Sequence, residues 1–313
     1  MASKKAWNIR AFEPGADDAG VAKLLMQVAT FDGGVAALSP TMLSARLQHP
    51  SAHQGQAWRV AASSNGTIIG ALLVFFVGTL RTQVLVAVNP AFRRQGIGRG
   101  LMDLAPREKR LLATSRTSVG GASALLAASG FTERHGSLLM RREVGKAPSL
   151  PMEGMAFNED PRKDARRAIV ALTAALGDEV DDDRGWMKAR LGRDRVGVVY
   201  LQAPGEDEVI VDAGICIVEP SDRARKGERT ASGEPIVGVI ADVGLMRTMR
   251  GKGMSRALVR EGIRMAERLG FRFVEVVADK RRAAAVELYE REGFEVVDEE
   301  ISWLRREKRG SRF

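Results

Sequence analysis

The chain has few of the side chains that build disulfides and metal centres. It contains 1 cysteine, Cys216, and 3 histidines, His49, His53 and His135, among 313 residues. A single cysteine excludes an internal disulfide and a thiolate metal cluster, and three dispersed histidines do not form a metal site by themselves. We therefore expect no bound metal.

Long hydrophobic runs are also absent. A membrane-spanning helix needs about 20 consecutive apolar residues, whereas the longest apolar run here, residues 68–77, has the length of a strand and is interrupted by Gly70. Residues 1–10 include 2 lysines but no apolar segment follows them, so they do not resemble a secretory signal. The sequence predicts a cytoplasmic protein without a membrane partner.

Aromatic residues make up only 5% of the chain, although its formal net charge is +9. A basic surface can attract nucleic acid, but stacking on bases requires aromatic side chains beside the positive charge. Much of the charge lies in dispersed arginines and in the C-terminal residues 305–312. We therefore disfavour a nucleic-acid partner and expect a small phosphorylated cofactor to account for the focused part of the charge.

Two short segments recur in the same order in each half of the chain, which is about twice as long as an average domain. Arg93-Arg94-Gln95-Gly96-Ile97-Gly98 corresponds to Arg250-Gly251-Lys252-Gly253-Met254-Ser255, 157 positions later. Gly130-Phe131 corresponds to Gly293-Phe294, 163 positions later. The similar offsets indicate duplication of one α/β unit. We predict domains at residues 1–146 and 151–313, with a linker at 147–151.

Periodicity and turn residues predict the same order of elements in both halves. The first half has predicted strands at 7–12, 57–63, 67–76 and 83–88 and helices at 17–28 and 41–48, with a type I′ hairpin turn at Asn65-Gly66. The second has helices at 164–176, 186–191 and 282–291 and strands at 196–201, 209–218, 236–245, 271–278 and 294–304. The charged residues 219–234 have nothing to bury, so we predict a mobile loop.

The best-defined helix follows the second glycine-containing segment. Its apolar residues share one face and Gly270 ends it. They are Leu258, Val259, Gly262, Met265, Ala266 and Leu269.

Both glycine-containing segments lie between a predicted strand and a predicted helix. Such a helix start leaves backbone N–H groups unpaired at the positive end of the helix dipole, where phosphate binds. Glycine lets a diphosphate approach the backbone, and Arg250 and Lys252, or Arg93, Arg94 and Arg99, add positive charge. Neither Gly-x-Gly-x-x-Gly nor Gly-x-x-x-x-Gly-Lys-Ser/Thr occurs, so a dinucleotide or nucleoside-triphosphate loop is disfavoured.

Both halves resemble the GCN5-related N-acetyltransferase family, whose signature is Gln/Arg-x-x-Gly-x-Gly/Ala between the fourth strand and the third helix. The first segment matches closely and has Pro90 where many members carry proline. In the second, Ser255 replaces the last small residue and Arg247 stands at the proline position. The run 285–294, which contains Tyr289, resembles the family's second conserved block.

The resemblance implies an α/β fold (an α+β mixed sheet) in each of two tandem acyl-CoA N-acyltransferase domains, with the fourth and fifth strands splayed apart. The pantetheine arm of an acyl-CoA, with acetyl-CoA as the expected donor, would pair with the main chain near residues 243–247, and its diphosphate would lie on the amides of 251–255. The implied cofactor-binding positions are Val243, Leu245, Met246, Arg247, Arg250, Gly251, Lys252, Gly253, Met254 and Ser255, and in the first half Val88, Arg93, Arg94, Gln95, Gly96, Ile97, Gly98 and Arg99.

The resemblance also implies direct transfer to a primary amine of a small-molecule or peptide acceptor. Tyr289 matches the family position that protonates the departing thiolate; the alternative is a core tyrosine packed on Phe294. The first half has Leu126 at this position, and Pro106 interrupts its loop helix. We therefore expect chemistry only in the C-terminal domain, while the N-terminal domain either binds acyl-CoA without turnover or keeps only its fold.

Two acidic features leave alternatives open. Asp242, at the start of the fourth strand, is the nearest candidate for a general base, or it is structural. The acidic run 178–183 would favour a cationic acceptor, such as a polyamine, an aminoglycoside or a lysine, if it faces the acceptor pocket, and otherwise forms a solvated loop. The alternative to an enzyme is a non-catalytic, regulatory acyl-CoA-binding module.

Overall fold

The computed structural model describes residues 7–36, 38–48, 57–77, 81–107, 110–145, 156–177, 184–204 and 209–306. The chain forms two compact units, one of Met1–Gly136 with Glu299–Phe313 and the other of Ser137–Asp298. The predicted linker 147–151 and the acidic run 178–183 lie outside the described residues. None of the helices in the described ranges is long and apolar enough to cross a lipid bilayer.

The first unit is built on a mixed sheet. Its strands lie side by side in the order β1 (Trp7–Ala11), β2 (Arg59–Ser63), β3 (Ile68–Val77), β4 (Arg81–Val88), β5 (Leu111–Arg116) and the end of β12 (Glu295–Arg305). Only the β4–β5 pair is parallel. Its helices are α1 (Asp18–Asp32), α2 (Pro40–Leu47), α3 (Ile97–Asp103) and α4 (Ala122–Ala128).

The predicted hairpin between β2 and β3 is confirmed, but its turn type is wrong. Gly66 has φ 83°, whereas Asn65 is not among the residues with positive φ, and a type I′ turn requires both. The Gly66 N–H donates to the Ser63 carbonyl at 2.9 Å. The glycine therefore supplies a left-handed bulge after an ordinary turn.

The second unit repeats this plan. Its strands lie in the order β6 (Thr132–Glu143, from residue 137), β11 (Phe273–Asp279), β10 (Val237–Leu245), β9 (Ile210–Pro220), β8 (Gly197–Pro204) and β7 (Ala156–Glu159). Its helices are α5 (Ala165–Leu176), α6 (Arg184–Leu191), α7 (Met254–Arg268) and α8 (Ala283–Arg291). Only β10 and β11 pair in parallel.

Two strands pair in the compact unit of the other half of the chain. β12, predicted as the last strand of the second half, pairs from Glu300 to Arg305 with β5 of the first unit. β6 pairs from Ser137 to Glu143 with β11 of the second unit. In a duplicated chain the equivalent edges accept either strand, because backbone hydrogen bonding does not distinguish them. The local sequence pattern therefore fixed the strands but not their partners.

The predicted apolar face of α7 is confirmed. Five of its six positions are buried and Leu269 is half-buried. The helix packs on β9 and β10, in a core cluster that includes Cys216, Val218 and Ile240. Burying each large apolar side chain contributes about 1.5–3 kcal/mol, so this face holds α7 against the sheet.

Residues 219–234 fold onto the second unit, so the prediction that they have nothing to bury is wrong. Ala224 is fully buried, and the Ser221 N–H donates to the Val237 carbonyl at 2.9 Å. Glu228 accepts a hydrogen bond from Arg141 at 2.6 Å. Local patterning does not predict this, because the buried residue is small and the ion-pair partner is 87 residues away.

Gly262→Ala tests how closely α7 lies on the sheet. An added Cβ would lie 2.8 Å from Cys216 Sγ and 3.0 Å from Ile240 Cδ1. We expect overpacking to lower the free energy of unfolding by about 1 kcal/mol or more, although alanine is the better helix former by about 1 kcal/mol. Urea unfolding of the two proteins measures the difference. Adding Cys216→Ala should shrink the loss caused by Gly262→Ala; an undiminished loss would mean that this contact is not its cause.

Candidate active site

The parallel strands of each unit separate soon after they begin. β10 pairs with β11 only at Val237, Gly238 and Val239, although it continues to Leu245. In the first unit β4 pairs with β5 only at two positions, Thr82 and Gln83. Beyond these points one edge of β10 and of β4 offers backbone N–H and C=O groups to a ligand. This geometry agrees with the splay implied by the family resemblance.

A β-bulge distinguishes the two openings. The register of β10 against β9 shifts between Ile240 and Asp242, so Ala241 has no opposite residue. β4 runs against β3 without such a shift. A bulge re-aims the backbone N–H and the neighbouring side chains, and bulges are over-represented beside active sites. The bulge was not predicted, because the glycines of the strand, Gly238 and Gly244, do not lie at its position.

The two glycine-containing loops follow the same backbone path. Gly251 and Gly253 have φ values of 80° and 77°, and α7 begins at the next residue. At the equivalent positions Arg94 and Gly96 have φ values of 64° and 82°, and α3 follows. The path is therefore kept even where a non-glycine residue must adopt a left-handed conformation.

The motif arginines anchor these loops. Arg250 donates from Nε to the Leu245 carbonyl at 3.3 Å and from Nη2 to the Ala175 carbonyl at 2.7 Å. Arg93 donates from Nε to the Val88 carbonyl at 3.2 Å and pairs with Asp32 at 2.5 Å. Each guanidinium thus ties the loop to the preceding strand and to the end of the first helix of its unit, which fixes the loop shape.

Tyr289 lies on α8 with 8% of its surface exposed. Its ring packs edge-on against Phe294 with centroids 5.7 Å apart, and both belong to the cluster that contains Leu245 and Met254, with Val243 packed against it. Burial raises the pKa of Tyr289 to about 12. The hydroxyl therefore stays protonated at neutral pH, close to the residues predicted to bind the cofactor.

Asp242 lies on the other face of β10. Its carboxylate pairs with Arg190 of α6 at 2.7 Å, and a Cβ added to Gly244, two residues on, would meet α5. Val243 and Leu245 point instead to the cluster of Tyr289. The structure thus places the two predicted catalytic residues on opposite sides of the strand at which the sheet opens.

Asp242 is one end of a chain of five charged groups, of which only Asp242 was predicted as a site residue. Arg190 also pairs with Glu219 at 2.8 Å, and Arg193 pairs with Glu219 and with Asp222, at 2.6 Å each. Burial raises the pKa of Asp222 to about 6 despite Arg193. Burial opposes ionisation of Glu219 too, but the two arginines outweigh it and hold its pKa below the ordinary value.

Glu292 connects the helix of Tyr289 to the helix of the loop. It accepts hydrogen bonds from Arg256 at 2.5 Å and from Arg260 at 2.7 Å, both on α7. Burial works against its charge, but the bonds from Arg260 and Arg256 prevail and lower its pKa. These two bonds tie the C-terminal end of α8 to α7.

The other residues predicted to bind the cofactor lie in or next to the two loops. Met246 precedes a short 3-10 turn at Arg247–Met249, and Lys252 lies between the two left-handed glycines. Met254 and Ser255 form the first turn of α7. In the first unit Gln95 occupies the loop, Ile97 and Gly98 begin α3, and Arg99 pairs along that helix with Asp103. Within the described ranges no three metal-ligating side chains are grouped.

Comparisons with known proteins agree with the duplication. Residues 54–136 match an acetyltransferase (GNAT) domain and residues 157–294 match the acetyltransferase (GNAT) family. A mycothiol acetyltransferase of Salinispora arenicola is 31% identical over 228 residues, 68% of this chain and 69% of the relative. Another, from Geodermatophilus obscurus, is 26% identical over 309 residues, 92% of this chain and 95% of the relative.

Solved structures share the fold. A tandem GNAT protein from the clavulanic acid biosynthesis pathway superposes with a TM-score of 0.67 at 20% identity, over 95% of this chain and 98% of that one. A GCN5-related N-acetyltransferase from Sphaerobacter thermophilus gives a TM-score of 0.63 at 22% identity, over 99% and 98%.

Glu292→Gln should destabilise the second unit. Two charged donors lose their carboxylate, so we expect the free energy of unfolding to fall by about 2 kcal/mol at neutral pH. Because the folded pKa of Glu292 is lowered, its contribution is present above the ordinary value of 4.5 and is lost as pH falls through the folded pKa. Denaturant unfolding of wild type and variant over that range should show the difference shrinking.

The matched control is Glu287→Gln on the same helix. Glu287 pairs with Arg291 at 3.2 Å, but its side chain is 61% exposed. Such a pair contributes about 0–1 kcal/mol. Equal losses for the two variants would contradict the role given to Glu292.

Proposed function

Because the chain belongs to the GCN5-related N-acetyltransferase family, as a member with two domains in tandem, we propose that it transfers the acetyl group of acetyl-CoA directly to a primary amine in its C-terminal unit. The observation that carries this proposal is the position of Tyr289 beside the open edge of β10. The chain is an N-acetyltransferase of the EC 2.3.1 class. Its acceptor, its site residues and the division of labour between its units are our proposals.

The open edge of β10 holds the donor. The pantetheine amides bond to backbone groups of residues 243–247, in the manner of an added strand. The diphosphate binds the N–H groups of 251–255, which lie at the start of the 15-residue helix α7. Arg250 donates hydrogen bonds to the Leu245 and Ala175 carbonyls. Lys252 therefore supplies the positive charge for the diphosphate.

The reaction needs little more than these groups. The amine nitrogen forms a bond to the thioester carbon, and a backbone N–H at the bulge stabilises the charge on the carbonyl oxygen. The nitrogen then loses a proton to solvent, the C–S bond breaks, and the sulfur leaves towards Tyr289, which regains from solvent the proton that it gives to the sulfur. A thiol of the cysteine type has a pKa of about 8.5, so the phenol first donates a hydrogen bond and gives up its proton as the thiolate is desolvated in the same apolar pocket.

The first unit lacks three of these features. Leu126 replaces the tyrosine, β4 has no bulge, and α3 has only 7 residues. We infer that residues 1–146 and 151–313 are the two copies and that only the second turns over. The first retains an intact loop path, so acyl-CoA binding without turnover is the alternative role for it.

The acceptor is a small molecule or a peptide with a primary amine. Relatives spanning most of the chain carry the name mycothiol acetyltransferase, so an amine acceptor of those enzymes belongs first in the panel of acceptors. Alkylamines, aminoglycosides, polyamines and lysine peptides complete it. The cytoplasmic location expected from the sequence stays a prediction.

Tyr289→Phe should lower kcat by about 100-fold or more, because general acid catalysis contributes about 10²–10⁴-fold. The dissociation constant of acetyl-CoA should not change. Thiol release across the amine panel measures the first and calorimetry the second. Tyr200→Phe is the control, since Tyr200 is the other of the 2 tyrosines and its buried hydroxyl has no hydrogen-bond partner among the residues that the structure describes. Full activity of Tyr289→Phe would remove the acid role, and binding without any thiol release by wild type would favour a non-catalytic module.

Gly253→Ala and Gly96→Ala separate the two loops. Both glycines have positive φ, 77° and 82°, and an added Cβ meets nothing within 4 Å at either. Each variant should therefore lose about 1–2 kcal/mol of stability. Only Gly253→Ala should weaken acetyl-CoA binding, by about tenfold, because its methyl group lies where the diphosphate approaches the backbone. Calorimetry should give one acetyl-CoA site per chain. Two sites, one weakened by Gly253→Ala and the other by Gly96→Ala, would show that both units bind acetyl-CoA.

A further inference from the structure

The closed end of the opening in the second unit has no role in the mechanism above. β10 and β11 part after Val239 and Glu275, and the pantetheine arm is assigned to residues 243–247. A strand rises about 3.3 Å per residue. Only the short stretch 240–242 of β10 therefore remains for the thioester and for the acyl group that it carries.

The acyl group of a bound donor points to this closed end. A thioester carbon is trigonal, so its oxygen, its sulfur and its acyl carbon lie in one plane and point in three different directions. The sulfur lies towards residues 243–247, and the oxygen lies towards a backbone N–H at the bulge. The acyl carbon is thereby directed towards β11 and the end of the opening at Glu275.

The side of the closed end that faces α7 and α8 is filled by the core. Ile240 is 4% exposed and Val276 is 1% exposed, and both belong to the apolar cluster of Tyr289. A Cβ added to Gly262 of α7 would lie 2.8 Å from Cys216 Sγ. Because protein interiors are packed as densely as organic crystals, a longer acyl chain enters this side only by displacing core side chains.

Charged side chains cover the opposite side of the closed end. Glu275 alternates along β11 with Val274 and Val276, which face the cluster, so its side chain points away from the cluster. It is 2% exposed, and one of its oxygens accepts hydrogen bonds from Arg141 Nε at 3.0 Å and Nη2 at 2.5 Å. Arg141 Nη2 also donates to Glu228, in the segment that precedes β10, at 2.6 Å.

The first unit lacks this cover. At the last paired position of its parallel strands it has Leu112, opposite Gln83. Its β3 ends at Val77, only a few residues before β4 begins at Arg81. The two units share their fold, so the ion pair is not a requirement of the fold. It is a feature of the unit in which we place turnover.

We propose that this closed end restricts the donor to a short acyl group and that Glu275 and Arg141 determine that specificity. The inference rests on the proposed function and names the class of donor, an acyl-CoA whose acyl group is acetyl or little longer. A longer chain meets the packed core on one side. On the other side it displaces Arg141 and leaves an uncompensated buried charge on Glu275, which is strongly unfavourable.

Donors of increasing length test this inference. They are acetyl-, butyryl- and hexanoyl-CoA, each measured by calorimetry without an amine and by thiol release with the fastest amine of the panel. The proteins are wild type, Arg141→Ala/Glu275→Ala, Arg141→Met/Glu275→Leu and the control Arg167→Ala/Asp212→Ala. The first double variant opens space. The second keeps most of the volume and removes both charges, which a fold often tolerates.

The control removes a similar ion pair from the same unit. Arg167 donates two hydrogen bonds of 2.8 Å to Asp212. Asp212 lies near the start of β9, whereas the closed end of β10 at Val239 pairs with Glu219 near the end of β9. A general loss of rigidity in the second unit should therefore affect the control as well.

In wild type, kcat/KM should fall at least about tenfold from acetyl- to butyryl-CoA, and hexanoyl-CoA should bind at least about tenfold more weakly than acetyl-CoA. The ratio of butyryl to acetyl kcat/KM should rise at least about tenfold in Arg141→Ala/Glu275→Ala. It should rise about threefold or more in Arg141→Met/Glu275→Leu, because flexible apolar side chains move aside without leaving a charge unpaired. The control should keep the wild-type ratio.

Two results would overturn the inference and leave the enzyme assignment intact. One is a wild type that binds and uses hexanoyl-CoA as well as acetyl-CoA. The other is a ratio that stays at the wild-type value in both double variants at Arg141 and Glu275. If wild type binds acetyl-CoA but releases no thiol with any amine, the proposed function fails, and the binding constants of the three donors still decide this inference.

Discussion

The short parallel pairing between β10 and β11 is the constraint on which the site depends. The paired end is held tightly, because Gly238 lets the ring of Phe271 lie directly on β10; an added Cβ would come within 2.6 Å of it. Beyond Val239 the strands part and the bulge at Ala241 turns the backbone of β10. The sheet therefore stays closed where it needs a core and opens where an extended ligand can replace the missing strand.

Opening the sheet at this point separates two kinds of environment. The face covered by α7 and α8 is apolar and keeps the Tyr289 hydroxyl protonated. The face covered by α5 and α6 carries the ionic chain that ends at Asp242. β10 therefore separates an apolar face from an ionic one at the point where the sheet opens.

The sequence predicted the structure correctly where the determining residues are local. The loop Arg250–Ser255, the apolar face of α7 and the place of Tyr289 on α8 each follow from residues within a few turns of one another. It failed where partners are distant in the chain. Arg190 reaches Asp242 and Glu219 only because three elements meet, and the bulge at Ala241 results from strand register. Strand β12 pairs with β5, and local periodicity does not encode which strand is the partner.

The duplicated loops show which part of the motif is structural. Arg94 keeps the left-handed φ that Gly251 has without steric cost, so the backbone path is required in the first unit as well as in the second. The anchors Arg93 and Arg250 explain why, since each ties the loop to its strand in the same way. The motif alone thus marks the fold in both units, and the units differ in what surrounds it: the second has a bulged strand, a long helix and a tyrosine.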